Sequence, residues 1–156
     1  MSTDGILRGH DLFRSLGLEK AFAAKDFTSV KKYRAGETVF SYNDAAGHVY
    51  MLMTGGVELR LPSQHQNLSL VISTMEKGEL FGLSPLLDSK RYTATAKCTE
   101  ESELLLIEAK PFRELLKENS LVGFGIMNNV AHIYFNRYVN VLKNLQDVVA
   151  QISLIR

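Results

Sequence analysis

Residues 34–59 read RAGETVFSYNDAAGHVYMLMTGGVEL, and their apolar residues fall in short runs interrupted by glycine, asparagine and aspartate. Gly36, Asn43-Asp44 and Gly55-Gly56 are residue types that tight turns favour, because they adopt backbone conformations that most residues avoid. The runs between them have the length of β-strands rather than of helices. The stretch therefore predicts consecutive antiparallel strands joined by tight turns.

The same rhythm continues on both sides, from Thr28 to Ile107, with turn residues about every 8 to 12 positions. About seven or eight short strands are enough to close a β-roll. We therefore predict a mainly β fold, a β-roll of the jelly-roll kind with flanking helices. The predicted strands are Thr28–Tyr33, Thr38–Ser41, His48–Met53, Val57–Leu61, Leu68–Met75, Tyr92–Cys98 and Leu104–Glu108.

Helices are predicted on both sides of the roll. Apolar residues at helical spacing predict two short helices within residues 6–24, and Pro111 suits the first turn of a short helix that ends near residues 118–120. After Ser120 the helical period continues to the end of the chain without proline. A helix of that length spans roughly 50 Å at about 1.5 Å per residue, which is longer than a small roll can cover.

The long helix carries a heptad pattern, because its apolar residues recur at alternating spacings of four and three. An amphipathic helix packed only on its own domain is the alternative, but the pattern continues beyond the reach of the roll. We therefore expect a homodimer through this helix, while Ile126, Val130 and Ile133 beside the pattern contact the roll. The residues of this pattern, called the seam below, are Met127, Ala131, Tyr134, Tyr138, Val141, Leu145, Val148, Ile152 and Ile155.

Composition indicates a single domain with an ordinary core, since 46% of the 156 residues are hydrophobic and 22% are charged. The 18 Lys and Arg nearly balance the 17 Asp and Glu, so charge gives no support for nucleic-acid binding. The single cysteine, Cys98, and the lack of a signal-peptide pattern favour the cytoplasm. No apolar run is long enough for a membrane span.

Residues 77–96, KGELFGLSPLLDSKRYTATA, could form an anion-binding site from a turn and the start of a short helix. A glycine turn at Gly82 precedes a short helix, and the free amides of Gly82, Leu83 and Ser84 could point at a bound phosphate. Thr93 could add a hydroxyl group, and Arg91 could add a guanidinium group suited to bidentate binding.

These segments together resemble the cyclic nucleotide-binding domain family of the cyclic-AMP receptor protein type. The resemblance rests on DLFRSLG, on residues 33–59, and on residues 77–116, in the family's order and spacing. It implies a regulatory β-roll with its entry helices at residues 1–119 and a dimerisation helix at residues 120–156. The chain ends at Ile155-Arg156, before the helix-turn-helix of the family's transcription factors could begin.

The family's phosphate-binding cassette is similar to this sequence but differs at two diagnostic positions. It typically reads Phe-Gly-Glu, a short helix, and then Arg before a small residue and Ala-Thr. Here Phe81-Gly82 precedes Leu83 in place of the glutamate, and Tyr92 stands at the arginine position before Thr93. Arg91 is adjacent, but neighbouring strand residues point to opposite faces. Tight binding of cyclic AMP is therefore not expected.

Arg137 and Tyr138 occupy the region where the family's long helix meets the ligand, so Arg137 is a candidate partner for a small anionic ligand. A surface or inter-helix ion pair is the alternative for this arginine. The expected function is non-enzymatic ligand sensing. The alternatives are true cyclic AMP or cyclic GMP binding through Arg91 or Arg137, and a ligand-free scaffold for dimerisation, with an unknown downstream protein partner.

Catalytic, metal and haem sites receive little support from the sequence. The four histidines are scattered without metal-site spacing, and no nucleophile motif occurs. Some relatives bind haem, for which His48, His132 or Cys98 could serve, but no paired ligand motif favours it. The sequence predicts that no cofactor is required.

Overall fold

The computed structural model describes residues 26–62 and 69–155, so the helices predicted within residues 6–24 lie outside the described residues. Eight strands, a short 3-10 helix and two α-helices make up this part of the chain. The strands are β1 (Thr28–Tyr33), β2 (Thr38–Phe40), β3 (His48–Thr54), β4 (Val57–Pro62), β5 (Ser69–Met75), β6 (Leu80–Phe81), β7 (Thr95–Cys98) and β8 (Ser102–Glu108). The helices are the 3-10 helix Ser84–Leu87, α1 (Ala109–Glu118) and α2 (Ser120–Leu154).

The strands form two four-stranded antiparallel sheets, in the orders β1-β8-β3-β6 and β2-β7-β4-β5. Sequence neighbours such as β1 and β2 belong to different sheets, so the chain repeatedly crosses between them. Inward-facing residues of both sheets form one core cluster. The opposite face of β3 and β8 packs on the two helices and forms a second cluster, because neighbouring strand residues point to opposite faces. The predicted mainly β roll with flanking helices is confirmed.

Apart from shifts of one or two residues at strand ends, the structure differs from the predicted strands in two places. The predicted strand Tyr92–Cys98 begins only at Thr95, because residues 90–92 pair instead with residues 43–46 through backbone hydrogen bonds. Strand β6 was missed, since two residues are too short to produce a periodic pattern. It exists because Tyr50 and Met51 of β3 pair with Phe81 and Leu80.

The long helix α2 divides into a packed half and an exposed half. Ile126 and Val130 are buried and Ile133 is partly buried against the core cluster that contains Phe112 of α1. The expected contact between this apolar row and the roll is therefore present. From residue 140 onward every described position of α2 is exposed in the single chain. Within the described residues no helix has the length and hydropathy needed to cross a membrane.

Candidate functional site

A cavity of about 290 Å³ lies between the roll and the long helix. Its walls come from three parts of the fold: inward-facing strand residues, the segment of residues 82–94 that contains the 3-10 helix, and one face of α2. The lining residues are Phe40, Leu59, Ile72, Gly82, Leu83, Ser84, Tyr92, Thr93, Ala94, Tyr134, Arg137, Tyr138 and Val141. The sequence and the resemblance together predict nine site residues, and the structure brings seven of them into this lining. The seven are Gly82, Leu83, Ser84, Tyr92, Thr93, Arg137 and Tyr138, and the other two are Phe81 and Arg91.

The turn after β6 places Gly82, Leu83 and Ser84 in the cavity wall. Gly82 has a φ of 65°, and a Cβ built on it would lie 2.9 Å from Cδ2 of Tyr50 and 3.0 Å from Cε1 of Phe40. Both its conformation and its surroundings therefore require glycine. Leu83, which stands in place of a glutamate in the resemblance, is buried in the core.

Phe81 was predicted as a site residue, but its side chain does not line the cavity. It is fully buried, and its ring stacks on Tyr50 with the centroids 5.4 Å apart. Strand β6 turns this side chain into the core because Phe81 pairs with Tyr50 of β3. Phe81 therefore lies outside the lining and packs behind the cavity wall.

Tyr92 is a structural part of the cavity wall, with its polar group already bound by the protein. Its ring stacks on Phe40 at a centroid distance of 3.9 Å. Its hydroxyl donates to the His48 carbonyl oxygen at 2.7 Å and accepts from the His48 N–H at 3.2 Å. Burial raises the pKa of Tyr92, against the opposing effect of these backbone hydrogen bonds. The Tyr92 hydroxyl therefore uses its donor and an acceptor position on the backbone of β3.

Replacing Tyr92 with phenylalanine is expected to lower the free energy of unfolding by about 1–3 kcal/mol, because the partly buried carbonyl of His48 loses its donor. Chemical denaturation measures this difference. Tyr42 is more than half exposed, so Tyr42→Phe is the matched control and should change little. Equal stability of the two variants would show that the hydrogen bonds between the Tyr92 hydroxyl and the His48 backbone do not stabilise the fold.

Arg91 was predicted as an alternative phosphate ligand, but it does not line the cavity. Its Nη1 donates to the carbonyl oxygen of Asn43 at 2.7 Å, and its backbone forms a bridge with Ala45. Tyr92 and Arg91 point in opposite directions, so only Tyr92 faces inward. In this geometry the guanidinium of Arg91 is directed to the outer surface.

Arg137 is the cavity's source of positive charge. It is the one charged residue among the described residues that line the cavity. Its Nη2 donates to Sδ of Met75 at 3.8 Å, and its guanidinium lies 5.6 Å from the ring centroid of Tyr134. Burial lowers the pKa of Arg137, whereas Tyr134 and Glu79 raise it. The ion pairs within residues 26–62 and 69–155 involve Lys32, Arg60 and Arg113 rather than Arg137.

Six lining residues were not predicted as site residues, although a signal existed for two of them. Tyr134 and Val141 lie three or four positions from Arg137 and Tyr138, so all four share one helix face. The four others lie in or beside strands, and they could not be predicted as lining residues without knowing which strand ends face the helix. The missed residues are Phe40, Leu59, Ile72, Ala94, Tyr134 and Val141.

No group of three or more His, Cys, Asp or Glu residues in the described part of the chain is arranged to hold a metal ion. Cys98 is buried in the roll, and burial raises the pKa of its thiol. The features that define the site are therefore its cavity, its aromatic walls and one guanidinium.

Comparison with known proteins agrees with this architecture. The family model of the cyclic nucleotide-binding domain matches residues 30–119. The cyclic AMP receptor protein of Thermus thermophilus is 28% identical over 123 residues, which cover 77% of this chain and 55% of that protein. The chain thus spans about half the length of this relative.

Solved structures give the same result for the fold. A candidate cyclic nucleotide-binding protein of Geobacter metallireducens is 28% identical, with a TM-score of 0.72 over 88% of this chain and 99% of that chain. The c-di-GMP responsive regulator CLP of Xanthomonas campestris shares the fold, with a TM-score of 0.72, 19% identity, and coverage of 83% of this chain and 62% of that chain. Since the family match covers more than half of its residues, the chain belongs to the cyclic nucleotide-binding domain family.

Proposed function

We propose that this chain is a non-enzymatic sensory domain that binds a small anionic ligand between the roll and the long helix. The observation that carries the proposal is that the roll and the long helix line the same cavity. Its walls include both the cassette segment, through Gly82 to Ser84, and the helix, through Tyr134, Arg137 and Tyr138. A ligand in this position contacts the two elements at once.

Ligand binding and helix pairing use some of the same side chains in this proposal. Tyr134, Tyr138 and Val141 line the cavity and also belong to the seam. A ligand that contacts them favours the side-chain arrangement it binds best, and that preference shifts the pairing of the helix. The output is then a change in how two helices cross.

The proposed partner of the helix is a second copy of this chain. The roll occupies residues 1–119 and the pairing helix residues 120–156 in this scheme. Seam residues from Val141 to Ile155 are more than half exposed in the single chain, and a matching helix would cover them. Isolated exposed apolar residues are common, but a heptad row of them is typical of helix pairing.

Cyclic AMP and cyclic GMP are expected to bind weakly. The two positions that recognise them in the family hold Leu83 and Tyr92, and both are buried in the core. A phosphate without its charged partner loses about 1.5–3 kcal/mol, which corresponds to at least about a tenfold loss of affinity. Isothermal titration of either nucleotide should therefore give no low-micromolar binding, and micromolar or tighter binding would refute the altered cassette.

The sensory role itself is tested by blocking the cavity. Thr93 is an exposed residue of the lining, so Thr93→Trp fills the opening without disturbing the core or the seam. Lys97→Trp, at an exposed position outside the lining, is the matched control. In a thermal-shift screen of small metabolites, compounds should stabilise the wild type and Lys97→Trp but not Thr93→Trp. A screen without any such compound would contradict the proposal.

A ligand-free dimerisation scaffold is the second candidate. The observation in its favour is that Leu83 and Tyr92 complete the core without a bound molecule, with the Tyr92 hydroxyl satisfied by His48. The scaffold predicts that Thr93→Trp leaves helix pairing unchanged under every condition. Sedimentation with and without a stabilising compound separates the two functions.

A further inference from the structure

We infer that the ligand of this cavity is a small aromatic monocarboxylate, bound with its carboxylate on Arg137 and its ring against the aromatic wall. The inference rests on the proposed sensory function and names the chemical class that the site accepts. Three properties of the cavity support it: the charge of its lining, the geometry of Arg137 and the rings of its wall.

The charge of the lining favours one negative charge on the ligand. Arg137 is the sole charged residue in the described lining, and its electrostatic partner Glu79 lies outside it. A buried anion needs a partner of opposite charge, because desolvation is otherwise too costly. A ligand with two or more negative charges would leave the excess unpaired, so a monoanion matches best.

Arg137 suits a carboxylate as the anionic group. A guanidinium offers planar paired donors that fit two oxygens of a carboxylate or a phosphate. A phosphate monoester carries about two negative charges, so the carboxylate matches the single charge of the lining better. At present its Nη2 donates to the thioether sulfur of Met75, which is a weak acceptor. A carboxylate at this position replaces a weak hydrogen bond with charge-assisted ones.

The wall favours an aromatic body. Four lining residues carry rings, namely Phe40, Tyr92, Tyr134 and Tyr138, and Phe40 and Tyr92 already stack on each other. Aromatic rings gain from offset stacking and edge contacts in addition to burial. The cavity, at about 290 Å³, lies near the lower end of ligand sites, which run from about 300 to 1,000 Å³. A one- or two-ring acid suits this size.

The test uses 2-naphthoate and its neutral analogue 2-naphthamide as probes. The chain contains no tryptophan, so naphthyl fluorescence can be followed without indole emission. We expect saturable binding of 2-naphthoate by the full chain and at least about tenfold weaker binding of 2-naphthamide, because the amide lacks the charge-assisted pair.

The variant Arg137→Met removes the charge and keeps an unbranched side chain. It should weaken 2-naphthoate binding at least about tenfold and leave 2-naphthamide binding nearly unchanged, which loss of structure could not do. Arg91→Met is the matched control, because Arg91 lies outside the lining and should leave both affinities unchanged.

The inference is overturned by any of three results: no saturable 2-naphthoate binding, equal affinity for the two probes, or an unchanged 2-naphthoate affinity in Arg137→Met. The cavity-blocking screen distinguishes this failure from failure of the sensory function. A different compound that protects the wild type but not Thr93→Trp leaves the sensor standing and refutes only the aromatic carboxylate. An empty screen refutes both.

Discussion

Replacing Gly82 with alanine is expected to lower the free energy of unfolding by about 2–5 kcal/mol. Two effects add. The φ of 65° costs an L residue about 1–2 kcal/mol, and the new Cβ would press on the rings of Tyr50 and Phe40. Both rings belong to the same core cluster, and Phe40 is also stacked on Tyr92 in the cavity wall, so neither ring can move freely. Denaturant unfolding at a fixed protein concentration measures the change.

Two other glycines separate the contributions. Gly36 has a φ of 85° with open space around its Cβ position, so Gly36→Ala should show only the conformational cost, about 1–2 kcal/mol. Gly47 has open space and no positive φ, so Gly47→Ala should be neutral or slightly stabilising. Equal effects at Gly82 and Gly36 would mean that the aromatic cluster yields to an added methyl group. The cavity wall would then be softer than its packing indicates.

The roll could be predicted from local patterns because its strands are short apolar runs bounded by turn residues, whether a run alternates, as in β4, or is buried almost throughout, as in β3. Strand β6 could not, since Leu80 and Phe81 are in a strand only through pairing with β3. The first residue of β7 was predicted too early for the same reason. The segment before Thr95 follows residues 43–46, which are distant in sequence, and no local preference reveals this pairing.

The resemblance supplied the position of the candidate site, but the orientation of its side chains depends on contacts that are distant in sequence. Tyr92 and Arg137 lie at the cavity as expected. Arg91 faces outward because Asn43 accepts its hydrogen bond, and Phe81 faces the core because Tyr50 pairs with it. Neither orientation could be predicted from the residue type, since arginine and phenylalanine are common in ligand sites.

Replacing Leu145 with glutamate is expected to convert a dimer into a monomer at micromolar concentration. Leu145 is a seam residue with 58% of its surface exposed in the single chain, so a partner helix is needed to cover it. The substitution removes two buried leucines from the dimer and places two carboxylates in its apolar seam. The loss of burial alone weakens association by about 3 kcal/mol or more, which is over a hundredfold in dissociation constant.

Sedimentation of matched variants tests whether the seam, rather than general hydrophobicity, causes association. Gln146→Glu adds the same charge one position away, outside the seam, and should leave the mass of the dimer unchanged. A chain ending at Tyr138 keeps the packed half of α2 and loses the exposed half, so it should behave like Leu145→Glu. If the wild type, Leu145→Glu and the shortened chain all sediment with the same number of subunits, the distal helix does not pair. Coupling between the cavity and helix pairing would then have to be abandoned, because Tyr134 and Tyr138 would contact a ligand without any seam to transmit its effect.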